Sequence, residues 1–309
     1  MANFKDILSL NLISIKKILI LLLIILFIYI GISILVTNIA FNVSKISPIK
    51  NPQDYSLQYE TVNFKSAGNE KINIEGWWIP STENNKVIIW SHGLRSEKSG
   101  GDKLELIKNI NRLGYSVLTI DLRSHGDSTD GKFGFGIIEK NDIKGAINFL
   151  FKEKGITEVG LSGVSYGAVT SIAASIDSKD SNIVGIFADT PYYNPLELLT
   201  EEVTRRTPIP KFISSTLKFG IISSGKLFFD LDMNKIPKLI TRLEMVKFPI
   251  IIIGCERDQT VTISHQERVF KYSPAGSKLY KFKNCHKHGE IYESNSEYYI
   301  KIFDEYFTL

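Results

Sequence analysis

Gly163-Val164-Ser165-Tyr166-Gly167 sets a serine between two glycines, directly after the apolar run Val159–Ser162 and directly before a helical stretch. A serine in a G-x-S-x-G setting stands on a tight strand-to-helix turn, and the flanking glycines let strand and helix come close. The chemistry available to it is nucleophilic attack, once a base removes its proton and an acid orients that base. In the architecture that uses this turn, the acid and then the histidine follow the serine along the chain. Downstream, Pro249–Gly254 leads into Cys255-Glu256-Arg257-Asp258, and Lys278–Phe282 leads into Asn284-Cys285-His286-Lys287-His288-Gly289. Asp258 is the candidate acid and His288 the candidate base. His286 is an alternative base. Asp189 is an alternative acid, although Asp189-Thr190-Pro191 reads more as a turn or cap.

Acyl transfer also needs two preorganised N–H donors for the oxyanion. The backbone N–H of Tyr166, just after the nucleophile, is one candidate. The backbone N–H of Leu94, in Ser91-His92-Gly93-Leu94 after the apolar run Val87–Trp90, is the other. The His92 side chain reads as a hydrogen bonder that staples its loop. With only Cys255 and Cys285, neither a disulfide framework nor a cysteine-rich metal site is available, and this chemistry calls for no metal or organic cofactor.

These residues need a scaffold that brings distant loops to one edge. Short buried runs alternate with helical patterns. The runs are Val87–Trp90, Ser116–Ile120, Val159–Ser162, Ile183–Ala188, Ile250–Gly254 and Lys278–Phe282. The helical patterns lie at Lys103–Leu113, Ile137–Lys154, Ala168–Ser175, Ser264–Tyr272 and Glu297–Phe307. That rhythm predicts an α/β domain with a mainly parallel sheet covered on both faces. Tyr59–Lys65 and Ile72–Ile79 read as an antiparallel hairpin in front of it. Loops after parallel strands leave one edge, so Ser165, Asp258 and His288 can converge there. The stretch from about 190 to 247 breaks the rhythm. Its apolar content (FISSTLKFGIISSGKLFF) suits either core-covering helices or a cap over the site.

The chain has 309 residues, 43% apolar and 23% charged, with a net charge of +4 and the two signs interleaved, so it carries no nucleic-acid-binding pattern. No charged residue falls between Lys17 and Lys45. Ile18–Val36 is almost wholly aliphatic or aromatic, and at ~1.5 Å per residue it spans about 28 Å, matching the hydrocarbon core of a bilayer. It reads as a retained transmembrane helix: the stretch is longer than the apolar region of a signal peptide, and Asn38-Ile39-Ala40 is a poor cleavage site. Lys5, Lys16 and Lys17 before the span, against Lys45 and Lys50 after it, point to a cytoplasmic N-terminus and an extracytoplasmic domain in the cell membrane. The expected organisation is residues 1–44 with the anchor at about 18–36, a polar linker over 45–58, and a domain over 59–309 with a cap insertion at about 190–247.

From about Tyr59 onward the sequence resembles the α/β-hydrolases, and more narrowly their membrane-anchored Bem46-like branch. The resemblance is carried by YETVNFKSAGNEKINIEGWWIP, VIIWSHGL, VLTIDLRSHGDS, GLSGVSYGA, FPIIIIGCERDQTV and the His288 region. Tyr292 and Tyr299 follow His288 at the spacing at which the family places aromatics after its base. Two positions depart from the pattern: Ser124 stands where the family commonly has glycine, and Cys255 replaces a glycine three residues before the acid. The resemblance implies the α/β-hydrolase fold, with an eight-stranded, mostly parallel sheet, flanking helices and an inserted helical cap. It implies hydrolysis of a small-molecule carboxylic ester by Ser165, Asp258 and His288, and the apolar cap and membrane anchor suit a short or medium acyl chain. Two other readings stay open: a serine peptidase using Glu201 and Glu202 to hold a substrate ammonium, and a catalytically silent surface protein. The resemblance also makes the strands before Asp258 and His288 parallel neighbours. Cys255 and Cys285 would then stand close enough for a disulfide.

Overall fold

The structure, a computed structural model, describes residues 4–81, 86–100, 103–176, 182–285 and 287–308, with side chains from residue 15 onward. It divides into two compact units: Val43–Leu198 with Met233–Leu309, and Met1–Asn42 with Leu199–Asp232.

The larger unit holds an eight-stranded sheet: β1 (Glu60–Ser66), β2 (Asn69–Ile79), β3 (Val87–Ser91), β4 (Ser116–Ile120), β5 (Val159–Val164), β6 (Ile183–Asp189), β7 (Ile250–Cys255) and β8 (Lys278–Phe282). The spatial order is β1-β2-β4-β3-β5-β6-β7-β8. β1 and β2 form the antiparallel hairpin, β2 pairs antiparallel with β4, and every pair from β4 to β8 is parallel. Every residue of β3 (VIIWS), β5 (VGLSGV) and β7 (IIIIGC) is buried, as continuous apolar runs in a sheet covered on both faces require. The covering helices are α2 (Leu104–Arg112), α3 (Lys140–Lys154), α4 (Tyr166–Ile176), α8 (Ile263–Lys271), α9 (Ile291–Ser294) and α10 (Ser296–Thr308). α4 is buried along its whole length. After β3 the chain turns to β4 on one side and then returns to β5 on the other, so the loops following β3 and β5 diverge from neighbouring strands. This is the switch point at which open α/β sheets bind ligands.

Several of residues 45–58, the expected linker, pack on the larger unit. Pro52 and Leu57 are buried, Asn51 caps a 3-10 turn over Pro52–Tyr55, and Lys45 Nζ reaches the Ser128 carbonyl at 2.6 Å and Asp130 at 3.0 Å. The alternation of apolar and polar residues there is too short to announce this docking.

The expected cap over 190–247 also divides. Its two ends belong to the larger unit: the Tyr192 hydroxyl donates to the Phe135 carbonyl at 3.0 Å, and Met233, Ile236, Ile240 and Leu243 are buried, with α7 (Lys235–Ile240) packed against α4. Only residues 199–232 leave it.

The smaller unit consists of α1 (Phe4–Phe41), the end of α5 (Pro195–Arg206) and α6 (Lys211–Phe229). The segment Ile15–Phe41 of α1 has a mean hydropathy of 3.3 over its most apolar window and is long and apolar enough to cross a membrane.

Candidate active site

The turn from β5 into α4 places Ser165. Its backbone has φ +54°, a left-handed conformation costing a non-glycine residue roughly 1–2 kcal/mol. Two backbone bonds hold it: the Ser165 N–H donates to the Asp189 carbonyl at 2.7 Å, and the Val169 N–H donates to the Ser165 carbonyl at 3.0 Å. The flanking glycines are required sterically. A Cβ on Gly163 would come within 2.7 Å of the Ser91 carbonyl oxygen, and one on Gly167 within 2.2 Å of it.

In the loop after β7, the Asp258 side chain is fully shielded from solvent. Its Oδ1 accepts the N–H groups of Thr260 at 2.7 Å and Val261 at 2.9 Å. Its Oδ2 lies 2.6 Å from His288 Nδ1, while the His288 side chain keeps 23% of its surface exposed. One carboxylate oxygen is fixed by the backbone and the other holds the imidazole. This leaves Nε2 as the ring nitrogen free for proton transfer. His286 lies outside the described residues. A Cβ on Gly289 would sit 3.7 Å from Val164 Cγ1, and one on Gly93 3.7 Å from the Val164 carbonyl. The loop of His288 and the loop of Leu94 thus both run beside the serine turn. Tyr166 opens α4, and Leu94 lies half-buried in the turn after β3.

Asp189 stands apart from the imidazole's hydrogen bonds. Its Oδ2 accepts the Tyr299 hydroxyl at 3.2 Å. Burial pushes its carboxyl up to about 6, against the pull of Lys103 and His288. His92 staples its loop: Nδ1 bonds the Gly93 carbonyl at 2.7 Å, and Nε2 accepts the Leu122 N–H at 3.1 Å. Burial drops its pKa to about 4, so it is a neutral spacer at pH 7. Its ring lies 4.8 Å from that of His125, which in turn packs 5.5 Å from the Tyr166 ring. Ser124 takes φ +62°, the conformation the family's glycine would supply without strain. Its hydroxyl donates to the Gly131 carbonyl at 2.9 Å.

One contact of the site has no signal in the sequence, and a second feature is the Cys255–Cys285 pairing that the family resemblance allows. Lys103, 186 residues from its partner, donates to the Gly289 carbonyl at 2.5 Å and ion-pairs with Glu293, tethering the loop of the candidate base. Cys255 and Cys285, both buried, are joined in a disulfide with Cα atoms 6.0 Å apart, within the span a disulfide requires. The bond ties the Asp258 loop to the His288 loop. Glu75, Asp121 and Asp127 could share a cation. Lys98 Nζ already sits among them at 3.0, 2.8 and 2.5 Å. In the smaller unit, Glu202 is engaged by Arg205 and Arg206.

Sheet order, serine turn and the loops after β7 and β8 define the α/β-hydrolase fold. The esterase Pf2001 of Pyrococcus furiosus shares it with a TM-score of 0.70 and 20% identity, over 86% of this chain and 98% of that one. No family model matches the chain. In sequence it is similar to human ABHD12B (24% identical, 61% of this chain and 50% of that protein). It is likewise similar to the lysophosphatidylserine lipase ABHD12 of Rattus norvegicus (24% identical, 76% of this chain and 62% of that protein). The chain thus spans between half and about two thirds of the length of these two relatives.

Proposed function

We propose that this chain is a membrane-anchored serine hydrolase that cleaves carboxylic esters. The observation that carries the reading is the Asp258–His288 bond of 2.6 Å, made at the strand ends beside the strained serine turn, with the second carboxylate oxygen already satisfied. Ser165 Oγ attacks the ester carbonyl carbon as His288 Nε2 takes its proton. The oxyanion is met by the N–H groups of Tyr166 and Leu94. The C–O bond to the alcohol breaks as His288 returns the proton to the leaving oxygen. Water, activated by the same imidazole, then releases the acid and restores Ser165. Asp258 holds the imidazole in the tautomer this requires and stabilises its charged form.

Esters of short or medium acyl chain are the substrate class. Similarity to the lysophosphatidylserine lipase of Rattus norvegicus adds a lysophospholipid to the compounds worth testing. The aminopeptidase reading wants Glu201 and Glu202 for a substrate ammonium, and Glu202 is already engaged by Arg205 and Arg206. α1 anchors the chain, and the disulfide suits a hydrolase unit outside the cytosol. The test is a panel of p-nitrophenyl esters of graded chain length, a lysophospholipid and aminoacyl anilides, run on the full chain and on Ser165→Ala. Ester turnover that vanishes in the variant supports the reading. Anilide cleavage without ester turnover overturns it.

A further inference from the structure

Along α1 the buried positions are not scattered. Ser33, Thr37, Ala40 and Phe41 are buried and Tyr29 is half-buried, while Ile18–Ile28 stands exposed on every side. The partner of this stripe is α6. The Tyr29 hydroxyl donates to the Thr216 carbonyl at 2.7 Å and accepts the Gly220 N–H at 3.1 Å, bridging the two groups of one helical turn. A Cβ on Gly220 would fall 2.0 Å from Ser33 Oγ, so the helices approach as closely as only glycine permits. The rings of Phe41 and Phe229 stack at 4.5 Å. Rising residue numbers on one helix meet rising numbers on the other, and α6 runs parallel to the C-terminal half of α1. Small residues in contact and a polar group answered by the neighbouring helix are the means by which helices associate in lipid.

The contact fixes depth. Tyr29 lies close to the middle of the apolar segment Ile15–Phe41, so a helix bonded to it stands at hydrocarbon depth wherever α1 spans. The flank of α6 beside that contact suits the surrounding. Phe212, Phe219 and Leu227 are 75%, 76% and 76% exposed. At about 100° per residue they form one edge that reaches the Thr216–Gly220 line, and the aliphatic side chains of Ile18–Ile28 on α1 are exposed as well. Lys211 and Lys226, both exposed, fall beyond that edge, where long stems can carry their charges toward headgroups or water.

We propose that α6 is a second membrane element, seated in the bilayer beside α1 with its Phe212–Phe219–Leu227 edge in lipid. The proposal rests on α1 being the anchor, and the experiment separates the two. Phe219→Trp, Leu227→Trp and, in α1, Ile25→Trp are each made in the full chain and placed in phosphatidylcholine vesicles, with or without bromine on the acyl chains. The native Trp77, Trp78 and Trp90 are buried and are subtracted with the parent protein. Loss of most of the added emission at positions 219 and 227 in brominated vesicles is the expected result. Quenching at 25 with none at 219 or 227 overturns the proposal and leaves the anchor standing. In that case quenching by acrylamide would mark the edge as wet, and resistance to acrylamide would mark it as covered by protein, such as a second copy. Absence of quenching at 25 overturns the anchor itself.

Discussion

Removing the Cys255–Cys285 bond perturbs stability by an amount set by the loop it closes. The two residues are 30 positions apart, and the loop between them contains Asp258, α8 and β8. In the chain-entropy treatment, freeing a loop of about 30 residues returns about 12 cal/mol/K to the unfolded chain, or about 3.6 kcal/mol near 25 °C. Against a domain stability of about 5–15 kcal/mol that is a large fraction. For a unit of this size it corresponds to a fall in Tm of about 7–14 °C. The perturbation is Cys255→Ala with Cys285→Ala, which avoids reductant. The assay is thermal unfolding of the full chain in detergent, followed by calorimetry, beside mass spectrometry after alkylation of unreduced protein from its native compartment. The parent should show no alkylated thiol, and the variant should unfold at the lower temperature while keeping part of its ester hydrolysis. Two alkylated cysteines in the parent, or an unchanged Tm in the variant, would refute the reasoning.

Other expectations follow from buried charge. Arg123 and Asp142 form a buried bidentate pair; Asp142→Ala strands the guanidinium and should cost about 3–5 kcal/mol in denaturant unfolding. His92 and Glu139 pull the pH dependence of stability in opposite directions. Burial lowers His92 to about 4, so between pH 6.5 and 4 the unfolded chain binds the extra proton and acid weakens the fold. Burial raises Glu139 to about 7, so between pH 7 and 4.5 the folded chain binds the extra proton and acid strengthens it. Glu139→Gln removes the second contribution, and its Tm should fall more steeply than the parent's from pH 6.5 to 4.5; parallel curves would contradict this. Lys103→Met should lower kcat while leaving the Asp258–His288 proton resonance in NMR broadened, since the loop of Gly289 loses its tether. An unchanged resonance and kcat would remove Lys103 from the positioning of the base.

Much of the sheet unit was legible because its central strands are buried on both faces. Runs such as Ile250–Gly254 have no polar residue to confuse with a surface helix, and the structure keeps β7 within one residue of that run. The serine turn was legible because its two glycines answer a steric need that the Ser91 carbonyl imposes. What escaped depends on contacts distant in sequence. The Lys103–Glu293 pair joins residues 190 positions apart. The pairing of α1 with α6 turns on Tyr29, Ser33 and Gly220, each unremarkable in its own segment. The 190–247 stretch looked uniform because apolar residues mark its buried ends and its exposed helix alike. Here Ile240 is buried and Phe219 exposed, and hydropathy does not distinguish the two.

A fluorophosphonate probe, read by intact-protein and peptide mass spectrometry, reports whether Ser165 is a nucleophile activated by His288 and Asp258. One covalent adduct is expected, mapped to the peptide bearing Ser165, absent from a folded Ser165→Ala variant and formed far more slowly in His288→Ala. Persistence of the adduct in Ser165→Ala, its location on another residue, or undiminished labelling of His288→Ala would contradict it.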